Sequence, residues 1–163
     1  MTDKQEYFDF LMRKIRIAER TGVTDVSVDI PEKFKDGTTI KPHQRDAVAW
    51  AIEGGRRALF ESFGLGKTIQ QLLICNILAA HENGRALIIC PLSVKREFEN
   101  EAKRKLGIDI TYIKSQADAV SAKTSICITN YERVRDGDID VSQFVIVSLD
   151  EASVLRSYGS KTY

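Results

Sequence analysis

The sequence predicts an α/β fold, a parallel sheet with helices on both faces, from three observations. Short apolar runs alternate with segments of helical period along most of the chain, the signature of strand–helix–strand units. A Gly-rich turn, Gly64-Leu65-Gly66-Lys67-Thr68, joins one such run to an apolar helix. An acidic pair, Asp150-Glu151, directly follows another run. With 163 residues, 43% hydrophobic and 29% charged, the chain suits one soluble domain with a full core.

The elements follow in order. Thr2 and Gln5 have the spacing of a capping box, and Tyr7, Phe8, Leu11, Ile15 and Ala18 share a face, which predicts an N-terminal helix over residues 3–20 stopped near Gly22. Val26, Val28 and Ile30 alternate with polar residues and predict a short strand ended by Pro31. Pro42 opens a second helix that Gly54-Gly55 closes, since proline is tolerated in a first turn and glycine ends helices. Residues 58–60 read as a strand. The helix over residues 66–81 is apolar on more than one side, through Ile69, Leu72, Leu73, Ile74, Ile77 and Leu78, as expected of a helix packed inside a fold. Asn83-Gly84 breaks it. Residues 86–90 form a strand, and Ser93 can cap a helix that Gly107 ends. Strands over residues 108–113, 125–129 and 144–149 complete the pattern. This divides the chain into an extension, residues 1–40, and a lobe, residues 41–163.

The formal charge is +1, so no large basic field advertises nucleic-acid binding, and any such contact must be local. Cys75, Cys90 and Cys127 lack CxxC spacing and sit among apolar residues, which predicts buried free thiols in a reducing cytoplasm. His43 and His81 have no companion ligands for zinc. No signal peptide is legible, and the longest apolar stretch is too short for a bilayer.

Strand, Gly-rich turn, Lys-Thr and helix is the phosphate-binding loop arrangement. Gly64, Leu65 and Gly66 would turn backbone N–H groups toward an anion at the helix start. Lys67 would reach the β and γ phosphates of ATP, and the Thr68 hydroxyl would coordinate Mg²⁺. Glu61 stands where the general pattern has glycine, which argues against small P-loop kinases and GTPases. In an open parallel sheet, ligands bind at the carboxyl ends of strands. Asp150 is therefore placed to hold Mg²⁺, and Glu151 to orient or deprotonate an attacking water. The catalytic candidates are Lys67, Asp150 and Glu151.

Lys41-Pro42-His43-Gln44-Arg45-Asp46 precedes the loop by the interval found in superfamily 2 helicases. Pro91-Leu92-Ser93-Val94, Ile128-Thr129-Asn130-Tyr131-Glu132 and Leu149-Asp150-Glu151-Ala152-Ser153 follow in order. The whole set resembles phage and prophage helicases related to the Swi/Snf branch. The resemblance implies an N-terminal RecA-like lobe that is incomplete after the acidic pair. It implies Gln44 as the adenine contact, a role that suits an amide able to donate and accept together. It implies Ser93 and Thr129 as contacts to a nucleic-acid backbone, DNA rather than RNA, where hydroxyls bind without sequence readout. It also implies a second RecA-like lobe, in the same polypeptide or in a partner chain, carrying an arginine finger. A phage origin would place the protein in the cytoplasm of a bacterial host. Ser153 replaces the histidine of DEAH-type proteins. The leading expectation is the ATP-binding lobe of a DNA helicase or translocase. The other is a nucleotide-binding module without motor activity of its own, completed by a partner.

Overall fold

A computed structural model describes residues 21–23 and 30–151. The expected N-terminal helix, most of the strand near Val26, and the motif residues beyond Glu151 lie outside the described residues.

Four strands pair in parallel: β1 (Ala86–Ile89), β2 (Thr111–Tyr112), β3 (Ile126–Thr129) and β4 (Ile146–Leu149), in the order β2-β3-β1-β4. Ala86 registers with Ile126 on one side and Ile146 on the other. β1 and β3 are buried at every position, because the sheet is covered on both faces and a strand there has no solvent side. Ala86, Ile88, Ile126 and Ile128 pack with helices α1 (Pro42–Gly54), α2 (Lys67–His81) and α3 (Lys95–Glu101) through Val48, Ile52, Leu72, Leu73 and Phe98. Leu87, Ile89 and Cys127 face the other way, against Ala119 of α4 (Gln116–Ser121), Tyr131 of α5 (Tyr131–Arg135), Ile139 and Phe144. Burying each large apolar side chain contributes about 1.5–3 kcal/mol. The α/β fold with helices on both faces is the one the sequence predicts.

The element ends follow their punctuation. Gly55, at φ +74°, closes α1 with its N–H on the Ala51 carbonyl. Past Asn83, the Gly84 N–H bonds the Ala79 carbonyl beyond α2. A π-helical turn (Ala102–Leu106) continues α3, and Gly107 at φ +71° ends it. Residues 30–40 join the same core through Ile30, Phe34 and Ile40, and Lys35 N–H bonds the Lys105 carbonyl.

Three expectations need correcting. Residues 58–60 are not a strand, and Phe60 is almost fully exposed. A strand exists only by pairing, and the sheet among the described residues ends at β4, with no neighbour for this run. The strand expected over residues 108–113 is reduced to Thr111–Tyr112, while Ile108 and Ile110 pack as coil against the core. Ser93 caps nothing: it lies exposed in a 3-10 turn (Leu92–Val94) whose N-cap is Pro91.

Candidate active site

The Gly-rich loop before α2 is shaped by two glycines in left-handed backbone, Gly64 at φ +79° and Gly66 at φ +83°. Gly64 needs glycine for the dihedral alone. At Gly66 a Cβ would also lie 2.2 Å from Gln44 Nε2. That amide buttresses the loop from behind. Gln44 Nε2 donates to the Leu65 carbonyl at 3.0 Å, and Gln70 Nε2 donates to the same oxygen at 3.2 Å. His43 Nε2 lies 3.2 Å from it as well. Gln44 Oε1 accepts from its own helix start, Lys41 N–H, at 3.1 Å. Both ends of the Gln44 amide are therefore engaged within the chain, and the side chain is buried.

Glu61 takes the place of the missing glycine without blocking the loop, because its carboxylate turns aside to accept from Gln70 Nε2 at 2.9 Å. Gln70 is fully buried and its Oε1 has no partner, a cost on the order of 1–3 kcal/mol. The opposite amide orientation would set that oxygen against Glu61 and Leu65 acceptors, so the network dictates this one. Lys67 is turned back into its own loop. Its Nζ donates to the carbonyls of Glu61 at 3.0 Å and Ser62 at 3.3 Å, 5.2 Å from the centre of the exposed Phe63 ring. Phosphate oxygens are the stronger acceptors for that ammonium.

β4 delivers the acidic pair to the same sheet edge. Asp150 N–H extends the ladder onto the Ile89 carbonyl at 2.8 Å, and Tyr131 OH donates to the Asp150 carbonyl at 2.6 Å. Burial raises the Asp150 pKa above the ordinary carboxylate value, the charges of Glu151 and Glu97 raise it further, and Lys67 opposes them. Tyr131 is pushed up to about 12 by burial and then by Asp150. Glu151 turns the chain at φ +53°, a backbone state that costs a side-chain residue about 1–2 kcal/mol and clusters at functional sites. Gln71 Nε2 of α2 donates to Ser148 Oγ of β4 at 2.8 Å. This brace ties the helix bearing Lys67 and Thr68 to the strand bearing Asp150.

Lys67 and Glu151 thus lie close enough to Asp150 for their charges to act on it, with Thr68 next to Lys67 in the first turn of α2. The residues suit a magnesium ion in a particular way. No group of three or more His, Cys, Asp or Glu residues forms a ready cage among the described residues. Mg²⁺ is ordinarily held by one or two protein oxygens together with substrate phosphates, and Thr68 with Asp150 is such a pair.

Thr129 requires a correction. It is fully buried, and its hydroxyl donates to the Ile113 carbonyl at 2.9 Å. The side chain is unavailable to a backbone phosphate, because strand alternation puts it on the covered face beside Cys127. Ser93 remains exposed beyond β1. Lys103, Arg104 and Lys105 pair with Asp109, Glu101 and Asp36, so that basic run is neutralised locally. The cysteines are free and buried. No helix of the described residues is long and apolar enough to cross a membrane.

Sequence reasoning missed Gln70, Gln71, Ser148 and Glu97. The first three carried a signal, as polar residues inside apolar runs. Glu97 carried none, since its partner Thr68 lies 29 positions away.

A family model of the SNF2-related domain matches residues 43–163. The chromatin-remodeling ATPase INO80 of Pyricularia oryzae is 32% identical over 172 residues, which cover 88% of this chain and 8% of that protein. The Zorya protein ZorD of Escherichia coli is 25% identical over 169 residues, covering 79% of this chain and 16% of its own. This chain spans only a small part of either relative. Among solved structures, the SWI2/SNF2 ATPase core of Sulfolobus solfataricus in complex with dsDNA matches with a TM-score of 0.67 at 22% identity, over 84% of this chain and 31% of that one. The UvsW helicase from bacteriophage T4 matches at 0.69 and 19%, over 97% of this chain and 62% of that one. At these identities the two structures speak for the fold. The parallel sheet, the Gly-rich loop and the acidic pair at its edge, with the family match over most of the chain, make this protein a member of the SNF2-related family, with the RecA-like α/β fold of its helicase-like ATPase cores.

Proposed function

We propose that this lobe binds Mg·ATP between its Gly-rich loop and its acidic pair and, joined to a second lobe, hydrolyses ATP to move on DNA. The observation that carries the reading is the convergence of Lys67, Thr68 and Asp150 on one sheet edge, with the charge of Lys67 acting on Asp150. Lys67 leaves the carbonyls of Glu61 and Ser62 for the β and γ phosphates. The N–H groups of Gly64, Leu65 and Gly66 face the phosphate chain. Thr68 and Asp150 hold the cation, which when bound neutralises developing phosphate charge. Glu151 orients the attacking water. Gln44 meets the adenine edge by exchanging one of its internal hydrogen bonds for the base. Ser93 is the remaining candidate for a DNA-backbone contact, and DNA is the preferred partner because the matched Sulfolobus core was solved with dsDNA. The motif resemblance supports a protein of phage or prophage kind, working in the cytoplasm of a bacterial host.

The second reading, a module that binds nucleotide but does not turn it over alone, has an observation in its favour. Among the described residues Lys67 is the cation that acts on Asp150, and no arginine joins it there. Transition-state charge would then go without the arginine that accelerates related reactions by about 10³–10⁵. Steady-state ATPase assays of the chain, with and without duplex DNA and with an added second lobe, separate the two. DNA-stimulated turnover that needs the second lobe supports the motor. Turnover indifferent to both, or phosphoryl transfer to a small molecule, contradicts it.

A further inference from the structure

We propose that Glu97 is a positioning residue for the divalent cation of this site, acting through the hydroxyl of Thr68. The proposal rests on the Mg·ATP reading above. Thr68 Oγ1 donates to Glu97 Oε1 at 3.3 Å, across from the first turn of α2 to the first turn of α3. A hydroxyl has one proton and two lone pairs. With the proton committed to Glu97, the lone pairs face away from α3 and stay open to a cation. Groups one bond removed from a metal ligand set that ligand's orientation and basicity in this way.

The ion pairs of α3 single out the same residue. Glu99 is paired with Lys95, and Glu101 with Arg104. Glu97 belongs to no ion pair among the described residues, although Lys95 and Arg96 adjoin it in sequence. Its negative charge is instead felt at Asp150, along with that of Glu151. Glu97 thus links the two, bonded to the Thr68 hydroxyl and acting with Glu151 on Asp150, with Lys67 opposing both charges there. A divalent cation is the charge that such a surrounding favours. Glu97 does not complete a ligand cage. It holds the Thr68 proton and adds negative charge near the cation's water shell. The same charge disfavours a bare triphosphate, so its effect on nucleotide without metal has the opposite sign.

The test is equilibrium binding of a fluorescent ATP analogue, in EDTA and across a Mg²⁺ titration. The proteins are the wild-type chain and its K67A, E97A, E97Q, T68V and T68V/E97A variants. E97A should bind the analogue in EDTA as well as wild type or better, yet require about tenfold more Mg²⁺ for the metal-dependent gain. E97Q keeps an acceptor for Thr68 and should fall between, at roughly threefold. On the T68V background E97A should add less than about twofold, since two residues acting through one hydroxyl are not additive. Glu97 is exposed, and matching thermal melts confirm that the variants fold. A wild-type Mg²⁺ requirement in E97A, an equal loss with and without metal, or a full effect on the T68V background overturns the proposal while the nucleotide site stands. Binding that K67A leaves untouched overturns the site itself and this inference with it.

Discussion

Asp150 sits where its uncharged form is favoured, and this has a measurable consequence. Burial, then Glu151 and Glu97, raise its pKa. A carboxyl whose folded pKa exceeds the unfolded one contributes stability below the ordinary carboxylate range and loses it as pH rises through the folded value. Without metal and nucleotide, Asp150 therefore works against folding at neutral pH. Asp150→Asn should raise the unfolding free energy of the metal-free chain at pH 7. The gain should shrink as pH falls through the folded value, while metal-dependent nucleotide binding is lost. Urea unfolding at several pH values checks the sign. Gly66→Ala meets both the +83° dihedral and Gln44 Nε2. It should cost about 1–2 kcal/mol for the dihedral alone, with weakened nucleotide binding. At this scale the sequence offered Lys67, Thr68, Asp150 and Glu151 as candidates but not where their neighbours point. The motif resemblance implied Thr129 as a backbone-phosphate contact, yet in a strand covered on both faces either direction is inward. Gln44 looked free for a base, yet its amide is engaged by Lys41 and Leu65.

The site depends on how α2 and β4 lie against each other, and the Gln71–Ser148 hydrogen bond joins them two residues before Asp150. Ser148→Ala leaves the buried Gln71 amide without its acceptor and should cost about 1–3 kcal/mol. Adding Gln71→Leu removes the orphaned donor as well and should recover part of that loss, because deleting both partners is cheaper than deleting one. Chemical denaturation of the two singles and the double completes the cycle. Elements with strong local signals were legible: α1 between Pro42 and Gly55, α2 from its all-round apolar character, β1 and β3 as buried runs, and β4 as an apolar run. Residues 58–60 have the composition of a strand, but composition does not supply a neighbour. The helix expected from Ser93 is a 3-10 turn, an α-helix and a π turn in series, a subdivision that side-chain periodicity does not report.

At the scale of the whole molecule, the sheet among the described residues ends at β4. Val145, Val147 and Leu149 are about half exposed there, and Phe60 and Phe63 are nearly fully exposed on the loop segment. An unpaired strand edge with apolar side chains promotes association. The chain alone should show concentration-dependent self-association by analytical ultracentrifugation, reduced by Val147→Lys. The convergence of loop and acidic pair at one sheet edge is the central claim, and Lys67 is its most direct probe. The measurement to make is binding of a fluorescent ATP analogue with Mg²⁺ to the wild-type chain and to Lys67→Ala, both shown to be folded by their thermal melts. Saturable binding to wild type, weakened at least about tenfold in the variant (about 1.4 kcal/mol or more), is the predicted result. Equal binding by the two proteins, or none by a folded wild-type chain, would contradict the account.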